Sequence, residues 1–120
     1  MKASEVMLGN WVMKPSREDR ESLVKGQIEL EDFYLEEEWE TISNCLPIPL
    51  TDEILEKNGF IETKETHIIE DLGVAIIYGK YERLDEDKML CHGNSLWPIK
   101  YVHQLQNALC LCGVNKEIVL

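Results

Sequence analysis

The sequence predicts an α+β fold, a single domain over residues 1–120. Its expected parts are a small bent N-terminal β-sheet or SH3-like barrel, a short central helix, a β-hairpin and a C-terminal amphipathic helix packed on the sheet. Three observations carry that prediction. Short runs of period-two alternation recur in the first half of the chain, a fully signposted short helix follows "LPIPL", and residues 101–112 gather their apolar side chains on one helical stripe. Two subdomains are expected, a β-rich 1–46 and an αββα 47–120.

In chain order, "VMLGNWVM" alternates around Gly9-Asn10 and predicts a first strand with Trp11 and Met13 on one face. The polar run "KPSREDRES" breaks the pattern as a loop. "LVKGQIELEDFYL" resumes a period of two, with Ile28 and Leu30 alternating against Gln27, Glu29 and Glu31, and predicts a half-buried strand; "EEEWETI" predicts another. "LPIPL" is a boundary, because two closely spaced prolines cannot continue a central strand.

The central helix is the best-specified element. Thr51 caps it, Asp52 and Glu53 complement the positive end of its dipole, and Leu50 can staple onto Leu55. Gly59 stops it in the left-handed conformation, with Phe60 folding back on Leu55. Next, "HIIEDLGVAIIYGKYERL" reads as a hairpin split at Leu72-Gly73, and "DEDK" turns the chain. "MLCHGNSLWP" offers a short strand at Met89–Cys91 before a Gly-Asn-Ser turn. A longer helix is expected near 98–112, with Pro98 in its first turn and Gly113 at its stop, and "KEIVL" is a candidate terminal strand.

On that last helix, at about 100° per residue, Tyr101, Val102, Leu105, Ala108, Leu109 and Cys112 form one stripe, while His103, Asn107 and Cys110 fall on the opposite side. Cys110 and Cys112 therefore cannot share an ion. His103 and Cys110 share a face but stand about 10.5 Å apart along the axis, too far for one zinc. Cys91 and His92 are adjacent, a poor spacing for one tetrahedral ion and, in a strand, for a thiol–imidazole pair. His67 opens a β run and reads as a strand-end residue. Glycine-rich phosphate loops and calcium-loop spacing are absent. No catalytic residue, metal ligand or cofactor site is singled out.

Charge narrows the partners. The net charge is -11, and it is concentrated: residues 26–57 carry -9, whereas 88–120 carry +2. A phosphate backbone is bound through clustered Lys and Arg, which the chain lacks, so direct nucleic-acid binding is disfavoured. No apolar run approaches a membrane span, and four cysteines in such a chain are expected as reduced thiols in the cytoplasm.

At "LGNWV", "PIPLTDEILEKNGF" and "IKYVHQLQNALCLCG" the sequence resembles a family of small uncharacterised proteins of anaerobic gut and oral bacteria, many carried by prophages and other mobile elements. The three blocks occur in the family's order. The resemblance implies a common fold and a mobile-element, phage-related setting, and it brings no catalytic residue. The acidic stretch "ELEDFYLEEEWE" and the pair Cys110 and Cys112 depart from the family's pattern.

The functional expectation is a small, acidic, non-catalytic protein-interaction module. Its candidate partner surface is Phe33, Tyr34, Glu36, Glu37, Glu38 and Trp39, facing a basic protein, with His103 and Asn107 on the polar side of the last helix as a second contact that would serve a homodimer. A small enzyme or ligand-binding protein with a pocket of another kind is the alternative.

Overall fold

The computed structural model describes residues 1–62, 66–69, 73–78 and 88–120. The fold is α+β, with two antiparallel sheets and four α-helices among the described residues. The chain divides into two compact units, Met1–Ile48 and Pro49–Leu120.

In the first unit, β1 (Trp11–Pro15) pairs with β2 (Leu23–Gln27) and with β3 (Leu46–Pro47), giving the order β2-β1-β3. The expected first strand thus starts late. Residues ahead of Trp11 form a short 3-10 turn, Ala3–Glu5, and a tight turn in which the Met7 amide donates to Asn10 Oδ1 at 2.8 Å. Trp11 and Met13 do share the more open face, while Val12 points inward and is fully buried.

The second predicted strand holds only as far as Gln27, and the third is a helix instead. Alternation ends at Gln27, and "LEDFY" becomes α1 (Leu30–Tyr34), followed by α2 (Glu36–Trp39) and a left-handed Glu40 at φ 48°. A capping box starts α1: the Glu29 amide donates to Asp32 Oδ2 at 2.8 Å, a local bond that a strand cannot make. Because these segments coil, the first unit is an open three-stranded sheet with helices, and among the described residues neither sheet closes into a barrel.

The second unit opens with α3 (Asp52–Lys57), built as its capping signals dictate. Thr51 Oγ1 accepts from the Ile54 amide at 3.2 Å. Gly59 sits at φ 86°, and the Phe60 amide donates to the Leu55 carbonyl at 3.0 Å, closing the C-terminus with both apolar partners buried. Five strands follow in the order β4-β5-β6-β7-β8: β4 (Ile61–Glu62), β5 (Thr66–Ile69), β6 (Val74–Tyr78), β7 (Lys88–His92) and β8 (Ser95–Ile99). The expected hairpin is β5–β6. "DEDK" lies outside the described residues except for Lys88.

Residues 95–99 correct the start of the last helix. They pair with β7 through a two-residue turn at Gly93-Asn94, with Gly93 at φ 60°, and Pro98 stands opposite Met89 in an edge strand, where a missing N–H is tolerated. The helix, α4, runs Val102–Leu111 from a Tyr101 cap. It packs against β8, with Val102, Leu105, Ala108 and Leu109 buried. "KEIVL" forms no strand. Asn58 ties it down at both ends of its amide: Nδ2 donates to the Val119 carbonyl at 2.8 Å, and the Val119 amide donates to Asn58 Oδ1 at 2.7 Å. No helix among the described residues is long and apolar enough to cross a membrane.

Candidate functional site

The acidic, aromatic segment is mounted on an ion pair that sequence reasoning missed. Lys14 occupies an inward position of β1, and its Nζ lies 2.7 Å from Asp32 Oδ2 and 3.1 Å from the Gln27 carbonyl, with both charged side chains nearly withdrawn from solvent. A lysine can be buried only if its charge is met. Asp32 meets it and also receives the Glu29 amide, so one carboxylate fixes the start of α1 to the sheet. Gly26 makes the route: a Cβ there would stand 2.7 Å from Lys14 Cδ, so any other residue on β2 would push the lysine stem aside. The available signal was a lone lysine at an inward strand position with a glycine diagonal to it on the neighbouring strand.

From that anchor the candidate residues separate into supports and presented groups. Phe33 is half-buried and packs on the cluster of Val6, Val12, Ile28, Ile42 and Cys45. Glu36 is engaged internally, accepting from the Ile42 and Ser43 amides and the Ser43 hydroxyl, and this corrects its placement on the partner surface. Its carboxylate caps the chain where it leaves the left-handed Glu40, tying α2 to the buried Thr41-Ile42 step.

Tyr34, Glu37, Glu38 and Trp39 point outward. Leu35 keeps right-handed backbone between α1 and α2, so positions 34, 37 and 38 fall on one side at helical spacing. Tyr34 is 77% exposed and Trp39 49%, the latter with the Arg20 guanidinium 4.3 Å above its ring. Glu37, Glu38 and Glu40 are exposed and carry no ion pair among the described residues. Arg17, by contrast, is taken up by Glu29 and Glu31.

His103 and Asn107 lie in the C-terminal unit, on α4. His103 is 4% exposed and stacks on Tyr101, ring centroids 5.9 Å apart, which removes it from any contact surface. Asn107 is half-buried. Gln104 caps the helix, its Oε1 accepting from the Lys100 amide at 2.7 Å and the Tyr101 amide at 3.1 Å.

The thiols are poorly placed for chemistry. Burial, reinforced by the Asp32 charge, pushes Cys45 from 9.0 up to about 11, and its Sγ donates to the Thr41 carbonyl at 3.1 Å. Burial also raises Cys91 and Cys112. A reactive cysteine needs the opposite shift. Cys91 and His92 are neighbours on β7 and point to opposite faces. Among the described residues no group of three or more His, Cys, Asp or Glu could hold a metal ion. A shallow groove of about 300 Å³ follows the end of α4, lined by Gln106, Cys110, Gly113, Val114, Asn115 and Lys116.

Comparison of the chain with protein-family models, with curated proteins and with solved structures gives no match.

Proposed function

We propose that the protein is a non-catalytic interaction module whose N-terminal unit meets a basic protein partner through Tyr34, Trp39, Glu37 and Glu38. One observation carries the reading: two aromatic rings stand exposed beside carboxylates that no cation of the described residues neutralises, on a segment where Asp32 and Glu36 are already engaged. Exposed aromatics supply large contact area at small entropic cost and dominate protein interfaces. Unpaired acids around them steer a positively charged partner and raise its association rate. The raised thiols support the non-catalytic side of the reading, and four free cysteines support a cytoplasmic setting. The resemblance of the three sequence blocks adds a mobile-element context.

Affinity capture from the lysate of a bacterial host tests the proposal. The wild-type chain retains a basic protein that elutes as salt is raised, and the Tyr34→Ala, Trp39→Ala double variant loses it. Retention of the same partner by the double variant, or a captured partner insensitive to salt, would contradict the assignment.

A further inference from the structure

The loop between β1 and β2, residues 16–22, carries two of the chain's three arginines, and both rest on the acidic, aromatic segment. Arg17 Nη2 lies 3.0 Å from Glu29 Oε2 and also meets Glu31. The Arg20 guanidinium covers the Trp39 ring at 4.3 Å. The loop has acids of its own, but Asp19 is turned back on it, accepting from the Glu21 amide at 3.0 Å and the Ser22 hydroxyl at 2.8 Å. What the loop lays on the segment is guanidinium.

Its shape does not depend on those contacts. The Ser16 amide donates to the Ser22 carbonyl at 2.8 Å, the Ser22 amide to the Asp19 carbonyl at 3.0 Å, and the Glu18 amide to Ser16 Oγ at 3.3 Å, so the loop is closed by its own bonds. The arginine contacts, by contrast, are shallow. The Arg17 side chain is 70% exposed, and an exposed ion pair or cation–π contact holds by a factor of only about two to five. The loop is formed in advance and lightly seated.

We infer that this loop is a strap: it occupies part of the contact face with the chain's own arginines, and the basic partner binds by setting its arginines in their place. The inference rests on the contact reading above and adds to it the chemistry of the partner and a built-in restraint. Arginine is favoured over lysine because a planar guanidinium lies flat on an indole ring and spans two carboxylates, as Arg20 and Arg17 do here, whereas a compact, strongly hydrated ammonium does neither well. The strap covers Trp39, Glu29 and Glu31 and leaves Tyr34, Glu37 and Glu38 open. An approaching cation therefore meets the open acids first and exchanges with Arg17 and Arg20 second. Two seats of this strength together hold the strap down by roughly four- to twenty-fivefold, and a partner that needs the face open binds more weakly by about that factor.

Calorimetric titration of the full chain with hexa-arginine and hexa-lysine peptides, in about 0.15 M salt to screen distant charges, tests this. The wild type should bind hexa-arginine at least about threefold more tightly than hexa-lysine. Arg17→Gln with Arg20→Gln, both at exposed positions and with the circular dichroism of the wild type, should bind hexa-arginine about four- to twenty-fivefold more tightly. Lys2→Gln with Lys25→Gln removes the same charge from exposed positions outside the strap and should gain less than about twofold. Unchanged or weaker binding by the arginine variant, an equal gain in the lysine variant, a preference for hexa-lysine, or no binding of either peptide would each overturn the inference. Tyr34→Ala with Trp39→Ala separates its failure from that of the contact reading. Binding lost in that variant, with no gain in the arginine variant, keeps the face and removes the strap; binding intact in that variant removes both.

Discussion

In the C-terminal unit Leu55, Ile76, Leu90, Ile99, Leu105 and Leu109 are withdrawn from solvent, whereas the apolar cluster of the N-terminal unit stops at Val6, Val12, Ile28, Ile42 and Cys45. The smaller unit makes up the difference with polar groups in fixed geometry: the Lys14–Asp32 pair, the Asp32 cap on Glu29 and the Glu36 carboxylate on Ile42 and Ser43. The contrast follows from scale. A unit of this length cannot bury enough apolar area to hold itself by the hydrophobic effect alone, so its cohesion rests on a few directed interactions, each costly to lose.

Breaking that tie should give the largest effect. Lys14→Ala leaves Asp32 buried without its cation and should destabilise the chain by about 3–5 kcal/mol in urea unfolding, while replacing both partners at once, Lys14→Met with Asp32→Leu, should recover part of the loss. A double variant no better than Lys14→Ala would mean that the capping role of Asp32, and not the charge, is what matters. In the other unit, Leu105→Ala should cost about 2–5 kcal/mol through lost burial and the cavity left behind. There, Cys110→Ala, at an exposed position, should stay under about 0.5 kcal/mol.

These contrasts explain what was legible in the sequence. The helix α3 could be read in full because its signals, Thr51, Gly59 and Phe60, act within one or two turns of where they stand. The segment 30–39 could not. Ile28 and Leu30 alternate with glutamates over too few residues to separate a period of two from a helix. What decides the matter is a lysine sixteen residues before Leu30, reaching Asp32 across Gly26. The α4 stripe was correct in angle, yet angle says nothing about cover, and His103 is buried on the side expected to be open. Pro98 fits a first helical turn and an edge strand equally well, and only pairing with Met89 distinguishes them. At the candidate site, Tyr34, Glu37, Glu38 and Trp39 were legible as exposed groups; the internal use of Glu36 was not, because the amides that donate to it lie beyond a left-handed turn at Glu40.

A smaller effect sharpens the contrast through pH. The Cys45 thiol, pushed from 9.0 up to about 11 by burial, favours the folded state while it stays neutral. Its contribution is complete below pH 9, where the unfolded thiol is also neutral, and is lost as the pH rises through about 11. Wild-type stability should therefore fall more steeply across that window than that of Cys45→Ala. Parallel curves would show that the first unit opens too readily for its core to be sealed.

The smallest effect on stability belongs to the residues assigned to binding, and it bears most directly on the central claim that the α1–α2 face exists for contact rather than for folding. Urea unfolding of the Tyr34→Ala, Trp39→Ala double variant is the measurement. Losing two exposed rings, one with a solvent-facing contact to Arg20, should change the unfolding free energy by no more than about 1 kcal/mol. A loss of several kcal/mol, comparable with Lys14→Ala, would place both rings among the supports of the fold and contradict the claim.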